Sequence, residues 1–148
     1  MERRSTGEMF GRYFVHGLFF SILMAVVLFA WAFVIVLLVA LGSLLGLIVG
    51  FGLLFVFIGA INAFVTEKMW NIKMQTGLGT DLIHGLVLFL GLSIVSFPVY
   101  LVLDYLFPTV DITTTIAVFI VQLLVLATVD GYIAKGIAGS FQVAERRM

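Results

Sequence analysis

YFVHGLFFSILMAVVLFAWAFVIVLLVALGSLLGLIVGFGLLFVFIGAINAFVT, running from Tyr13 to Thr66, contains no Asp, Glu, Lys or Arg. A helix needs about 20 apolar residues to cross roughly 30 Å of hydrocarbon. The stretch is long enough for two crossings and must turn once between them. Gly42-Ser43 is the only cluster of small and polar residues near its middle. This predicts a first helix over 12–40 and a second over 45–67. Transmembrane strands would alternate apolar and polar residues, whereas these runs are apolar on every face. A helix satisfies its own backbone hydrogen bonds in lipid, so helix is the reading despite many β-branched and aromatic residues.

The segment EKMWNIKMQTGLGTD, from Glu67 to Asp81, is polar and carries Lys68, Lys73, Gly77 and Gly79. It reads as a loop, with Met69, Trp70 and Ile72 in the headgroup layer that Trp favours. A third helix is predicted over 82–106. Pro108, Asp111 and Thr113 to Thr115 mark a second outer turn, and a fourth helix follows over 114–135. The fold class is therefore an all-α membrane protein, a four-transmembrane-helix bundle. Its divisions are a segment 1–12, a helical hairpin 13–67, a loop 68–80, a second hairpin 81–135 and a tail 136–148. The first apolar run is much longer than a signal-peptide core of roughly 7–15 residues, so it is expected to stay attached as an anchor.

Composition agrees. Hydrophobic residues make up 63% and charged residues 11%, and the mean hydropathy is +1.25. A soluble domain carries about 25% charged residues to face water. Formal net charge is zero, which excludes a global attraction to nucleic acid. The absence of cysteine removes disulfides, iron–sulfur clusters, thiol catalysis and cysteine zinc sites together.

Every Lys and Arg falls on one side of the predicted spans. Arg3, Arg4 and Arg12 precede helix 1, Lys68 and Lys73 lie between helices 2 and 3, and Lys135, Arg146 and Arg147 close the chain. The outer side keeps only Asp104 and Asp111. By the positive-inside rule both termini are cytoplasmic.

Laying VHGL (15–18) on IHGL (83–86) places INAFV (61–65) on VDGYI (129–133) without a gap. The chain has two histidines, and both precede Gly-Leu. Rare polar landmarks carry this alignment, since apolar segments match by chance. It predicts two tandem hairpins in parallel orientation, related by an axis along the membrane normal. His16 would overlay His84, and Asn62 would overlay Asp130.

Those four residues, with Gln122 near the middle of helix 4, are the candidate site. Asn62 and Asp130 lie about 20 residues past the outer turns, at 1.5 Å per residue near the inner edge of the hydrocarbon. One reading is a proton or ion site at the cytoplasmic mouth, with Asp130 as acid and the histidines titrating near neutral pH. The other is a set of polar ties between helix ends. Asp130 is expected to reach His16, with His84 serving Asn62. Gly42, Gly46 and Gly50 form one smooth helix stripe that lets backbones approach. No metal, cofactor or catalytic set is expected, and no nucleophile-plus-base, metalloprotease or phosphate-loop pattern occurs.

The charge-free core points to a non-catalytic integral membrane subunit or scaffold. It would lie in the lipid bilayer and pack against other membrane-protein subunits or itself. The alternative is a small oligomeric transporter or channel for ions or protons, with the His/Asp group at its mouth. An enzyme on a lipid-like substrate ranks below both.

Overall fold

The computed structural model describes residues 6–40, 44–107 and 111–143. They form a bundle of four long apolar helices: α1 (Thr6–Ala40), α2 (Leu44–Trp70), α3 (Leu78–Leu106) and α4 (Ile112–Ala138). A 3-10 turn (Gly139–Phe141) ends the last. Each helix is long and apolar enough to cross a membrane, which makes this a multi-pass membrane protein. At 1.5 Å per residue the 35 residues of α1 extend about 52 Å. That exceeds the hydrocarbon, so α1 tilts or projects beyond it.

The helices run past the predicted limits at their polar ends. α1 begins at Thr6 rather than residue 12, α2 continues through Trp70, and α3 starts at Leu78. The polar connection shrinks to residues 71–77 because local groups close both helix ends. Asn71 adopts the left-handed conformation (φ 53°) that Asn tolerates at a helix terminus. Gly77 has φ 148°, a value open to glycine alone. Its N–H donates to the Asp81 carboxylate at 3.2 Å. The predicted turn at Gly42-Ser43 lies outside the described residues.

α4 is capped by Asp111. The Asp111 carboxylate accepts the Thr114 N–H at 2.8 Å, and the Thr114 hydroxyl accepts the Asp111 N–H at 3.0 Å. This is a reciprocal capping box. The backbone hydrogen bond from Thr114, supported by the Thr114 hydroxyl, holds the Asp111 pKa below its ordinary value. A carboxyl whose folded pKa is depressed stabilises fully above the unfolded pKa. The contribution is lost as pH falls through the folded value. The Asp111 carboxyl should therefore titrate below the usual value of about 3.9, and the first turn of α4 should hold until that point. A carbon-13 carboxyl titration checks this; a midpoint equal to that of a short peptide would remove the cap.

Apolar residues surround every helix, so hydrophobicity alone does not decide which face turns inward. Small residues do. α2 packs most extensively on α3, and α1 on α4. A Cβ on Gly17 would lie 1.8 Å from the Ala127 carbonyl oxygen, and one on Gly131 would lie 1.9 Å from that of Tyr13. On the other pair, a Cβ on Gly85 would lie 1.8 Å from the Phe55 oxygen, and one on Gly59 2.0 Å from that of Asp81. Backbones touch at both crossings.

Among the described residues burial is concentrated at one end, with Gly50 of α2 the exception. In α1 the buried residues are His16, Gly17 and Phe20. In α3 they run from Asp81 to Leu88, and in α4 from Ala127 to Ala138. Phe20, Leu54, Ile58, Leu88 and Ala134 form the main core. Above it, toward the 71–77 connection, Ala63, Met74 and Ala138 pack with Ile72 and Phe141. Two backbone hydrogen bonds, Gln75 N–H to the Phe141 oxygen (2.8 Å) and Val143 N–H to the Lys73 oxygen (3.0 Å), lay the chain after α4 along the α2–α3 connection. The start of the predicted tail (136–148) is thus part of the packed end.

Candidate functional site

The glycine crossings bring three rare polar side chains together. His16 lies one residue before Gly17, and His84 one residue before Gly85. Each crossing therefore carries its histidine into the seam beside it. Both rings are completely buried, as is Asn62 of α2. His16 Nε2 lies 3.1 Å from Asn62 Oδ1. His84 Nε2 lies 2.9 Å from Asn62 Nδ2. The same amide nitrogen donates to the Ala134 carbonyl oxygen of α4 at 3.0 Å. One asparagine thus joins all four helices.

The direction of every bond follows from donor inventory. An indole N–H can only donate, and Trp70 Nε1 donates to His16 Nδ1 at 2.8 Å. That places the His16 proton on Nε2, where it is donated to Asn62 Oδ1. The amide orientation is then determined, and both Nδ2 protons are used, one on Ala134 and one on His84 Nε2. The His84 proton must therefore sit on Nδ1. The two rings carry opposite tautomers, linked in one polarised chain from Trp70 to His84.

Aromatic and cationic groups hold the two ends of this chain. The Arg12 guanidinium lies 4.7 Å from the Trp70 ring centre, and the Lys135 ammonium 5.5 Å from it. Such contacts contribute about 0.5–2 kcal/mol depending on exposure. Arg12 also donates to the Met69 carbonyl oxygen, and Tyr13 packs at 5.0 Å from Trp70. At the other end Phe141 stacks on His84, with ring centres 4.5 Å apart and planes 12° from parallel.

Several sequence expectations change here. Trp70, expected in the headgroup layer, is half-buried at the end of α2 and also gives its N–H to His16. Asp130 does not reach His16, whose two ring nitrogens belong to Trp70 and Asn62. It accepts a hydrogen bond from Ser96 of α3 instead. Gln122 is half-buried in α4 and takes no part in the chain of bonds around Asn62. The glycine contacts explain the Asp130 difference. Gly17 and Gly85 match in the ungapped alignment, and each packs on the backbone of two positions one turn apart, Ala127 and Gly131 or Phe55 and Gly59. Those two pairs do not match in that alignment. Ala127 and Gly131 stand one helical turn further along than it would place them. By the contact register Asn62 faces the position of Ala134, one helical turn beyond Asp130.

Of the predicted glycine stripe, Gly42 lies outside the described residues and Gly46 is half-buried. Gly50 is buried, and a Cβ there would lie 2.9 Å from Cδ1 of Leu38 in α1. That contact is within the chain. The closest crossings use Gly17, Gly59, Gly85 and Gly131 instead. Three of these stand in the two HGL segments or in DGY (130–132), so the signal was available. Sequence reasoning also missed Arg12, Trp70 and Phe141 as partners of the histidines.

Among the described residues no three His, Asp or Glu side chains are grouped to hold a metal ion. The hydrogen bonds of both histidines go to amide and indole groups, and among the described residues no hydroxyl or carboxylate is placed on them as nucleophile or orienting acid. The hydrogen bonds of this cluster run from helix to helix. Comparison with protein-family models, with curated proteins and with solved structures finds no match.

Proposed function

We propose that this chain is a non-catalytic integral membrane subunit or scaffold that packs against other membrane proteins or itself. The observation that carries this reading is the use made of Asn62. Its amide binds α1, α3 and α4 to α2, and polar groups committed to holding helices are not free for turnover. Apolar side chains project from all four helices beyond the tie, a surface suited to other membrane helices as well as lipid. The Lys and Arg distribution supports a cytoplasmic location for both termini. A tandem duplication is supported by the convergence of two His-Gly-Leu segments on one amide and by the paired glycine crossings.

Purification in mild detergent from native membranes tests the role. Stoichiometric recovery with a larger complex is expected. Recovery as a pure homo-oligomer that conducts ions in liposomes would favour the transporter reading, for which Asp130 inside the bundle is the best observation. Topology has its own test. Ser43→Cys should react with an impermeant thiol reagent added outside intact cells, and Lys73→Cys should not. The reverse labelling pattern would invert the orientation.

A further inference from the structure

Asp130 is separated from the tie around Asn62 and lines a cleft of about 310 Å³ inside the bundle. The lining is contributed by Phe20, Ser21 and Met24 of α1, Ile58 of α2, and Phe89 and Leu92 of α3. The cleft reaches the lipid-facing surface, since Leu28 at its edge and Phe89 are each 48% exposed. From the α4 start at Ile112, Asp130 lies about 27 Å along the helix, with about 12 Å left to Ala138. A carboxylate at that depth is costly without a partner, and such acids mark ligand or ion sites.

Among the described residues Asp130 receives one hydrogen bond, from Ser96, and no cation. Arg12 and Lys135 lie on Trp70, and both histidines are engaged with Asn62. What faces the cleft is therefore a carboxylate, the Ser21 hydroxyl and the rings of Phe20 and Phe89. Carboxylates accept and do not donate, and phenyl faces attract cations. An anion would be repelled. A hard metal cation would need about six oxygen ligands, far more than one carboxylate and two hydroxyls offer. A lipid headgroup amine stays at the interface while its tails fill the core. A single-chain amine that dissolves in the bilayer meets every condition: positive charge, apolar body and lateral entry.

We propose that the Asp130 cleft binds a membrane-partitioned amphipathic amine, its ammonium on Asp130 and Ser21 and its chain against Phe20, Met24 and Leu92. The site lies between helices of one chain and needs no second subunit.

The test uses the full chain in maltoside micelles, with dodecylamine as probe and dodecanol as its uncharged counterpart. Dodecylamine should raise the thermal midpoint more than dodecanol does at equal micellar fraction. Asp130→Asn keeps the side-chain shape and should weaken the amine effect about tenfold or more, the scale of one lost charge pair. Asp111→Asn, on the outer side, should leave it unchanged. A photoreactive diazirine analogue of the amine, used on the unmodified protein, should label Phe20, Met24 or Leu92 and be displaced by dodecylamine. Equal effects of amine and alcohol, an undiminished amine effect in Asp130→Asn, or labelling confined to other surfaces would each overturn the proposal.

Discussion

Gly85→Ala is expected to separate α3 from α2, although it adds a single methyl group. The new Cβ would fall 1.8 Å from the Phe55 carbonyl oxygen. That oxygen belongs to a helix backbone and cannot rotate away. Overpacking typically costs about 1–3 kcal/mol when side chains can adjust. Here the helices themselves must part, and the His84–Asn62 bond lies one residue from the crossing. The expected loss is therefore at the top of that range or beyond it, and Gly85→Leu should not yield a folded bundle. Gly136→Ala is the control. Nothing lies within 4 Å of a Cβ there, so the helix should gain up to about 1 kcal/mol from reduced backbone entropy. Unfolding in mixed micelles by increasing dodecyl sulfate would compare the three. Coincident midpoints for Gly85→Ala and the parent would refute the crossing.

Asn62→Leu should cost nearly as much by another route. It leaves the His16 Nε2–H and the His84 Nε2 without partners. Two magnitudes compete. Interhelical hydrogen bonds in membrane proteins average about 0.6 kcal/mol, because freed groups usually find another partner. A buried group left unpaired costs about 1–3 kcal/mol. The second applies here. Both rings are fully buried, with Trp70 against one and Phe141 stacked on the other, so neither can turn to water. A loss on the order of 2–4 kcal/mol is expected. Nitrogen-15 spectra of the histidines give a second readout. The parent should show His16 protonated on Nε2 and His84 on Nδ1. Identical tautomers in both rings would break the inferred chain of bonds.

The membrane-spanning architecture was legible because charge is so scarce. The stretch from Tyr13 to Thr66 had to turn once, and Pro108 with Asp111 marked the second turn. His16, His84 and Asn62 stood out as rare polar groups, and the contact of His84 with Asn62 was expected, whereas His16 was assigned to Asp130. The other partners were not legible, because residue spacing counts positions along the chain, not the height at which two helices cross. A slip of one helical turn between the two halves took Asp130 away from His16 and put Ala134 opposite Asn62. The second partner of Trp70 was hidden for a related reason. At a helix end Trp70 fits the interfacial pattern, and only the approach of α1 reveals an imidazole within reach of its N–H.

The pairing of α1 with α4 has a consequence for how the protein is made. α2 and α3 are neighbours in sequence and can join as soon as both have entered the membrane. α1 emerges first, yet its principal partner emerges last. Translation at about 5–20 residues per second puts on the order of 5–20 s between completion of α1 at Ala40 and of α4 at Ala138. Throughout that interval the Gly17 face has no α4 to meet, and the His16 ring waits with it. Biogenesis thus passes through a three-helix intermediate whose seam is open beside a polar ring. A chain halted before α4 would present that seam to the quality-control machinery of the membrane.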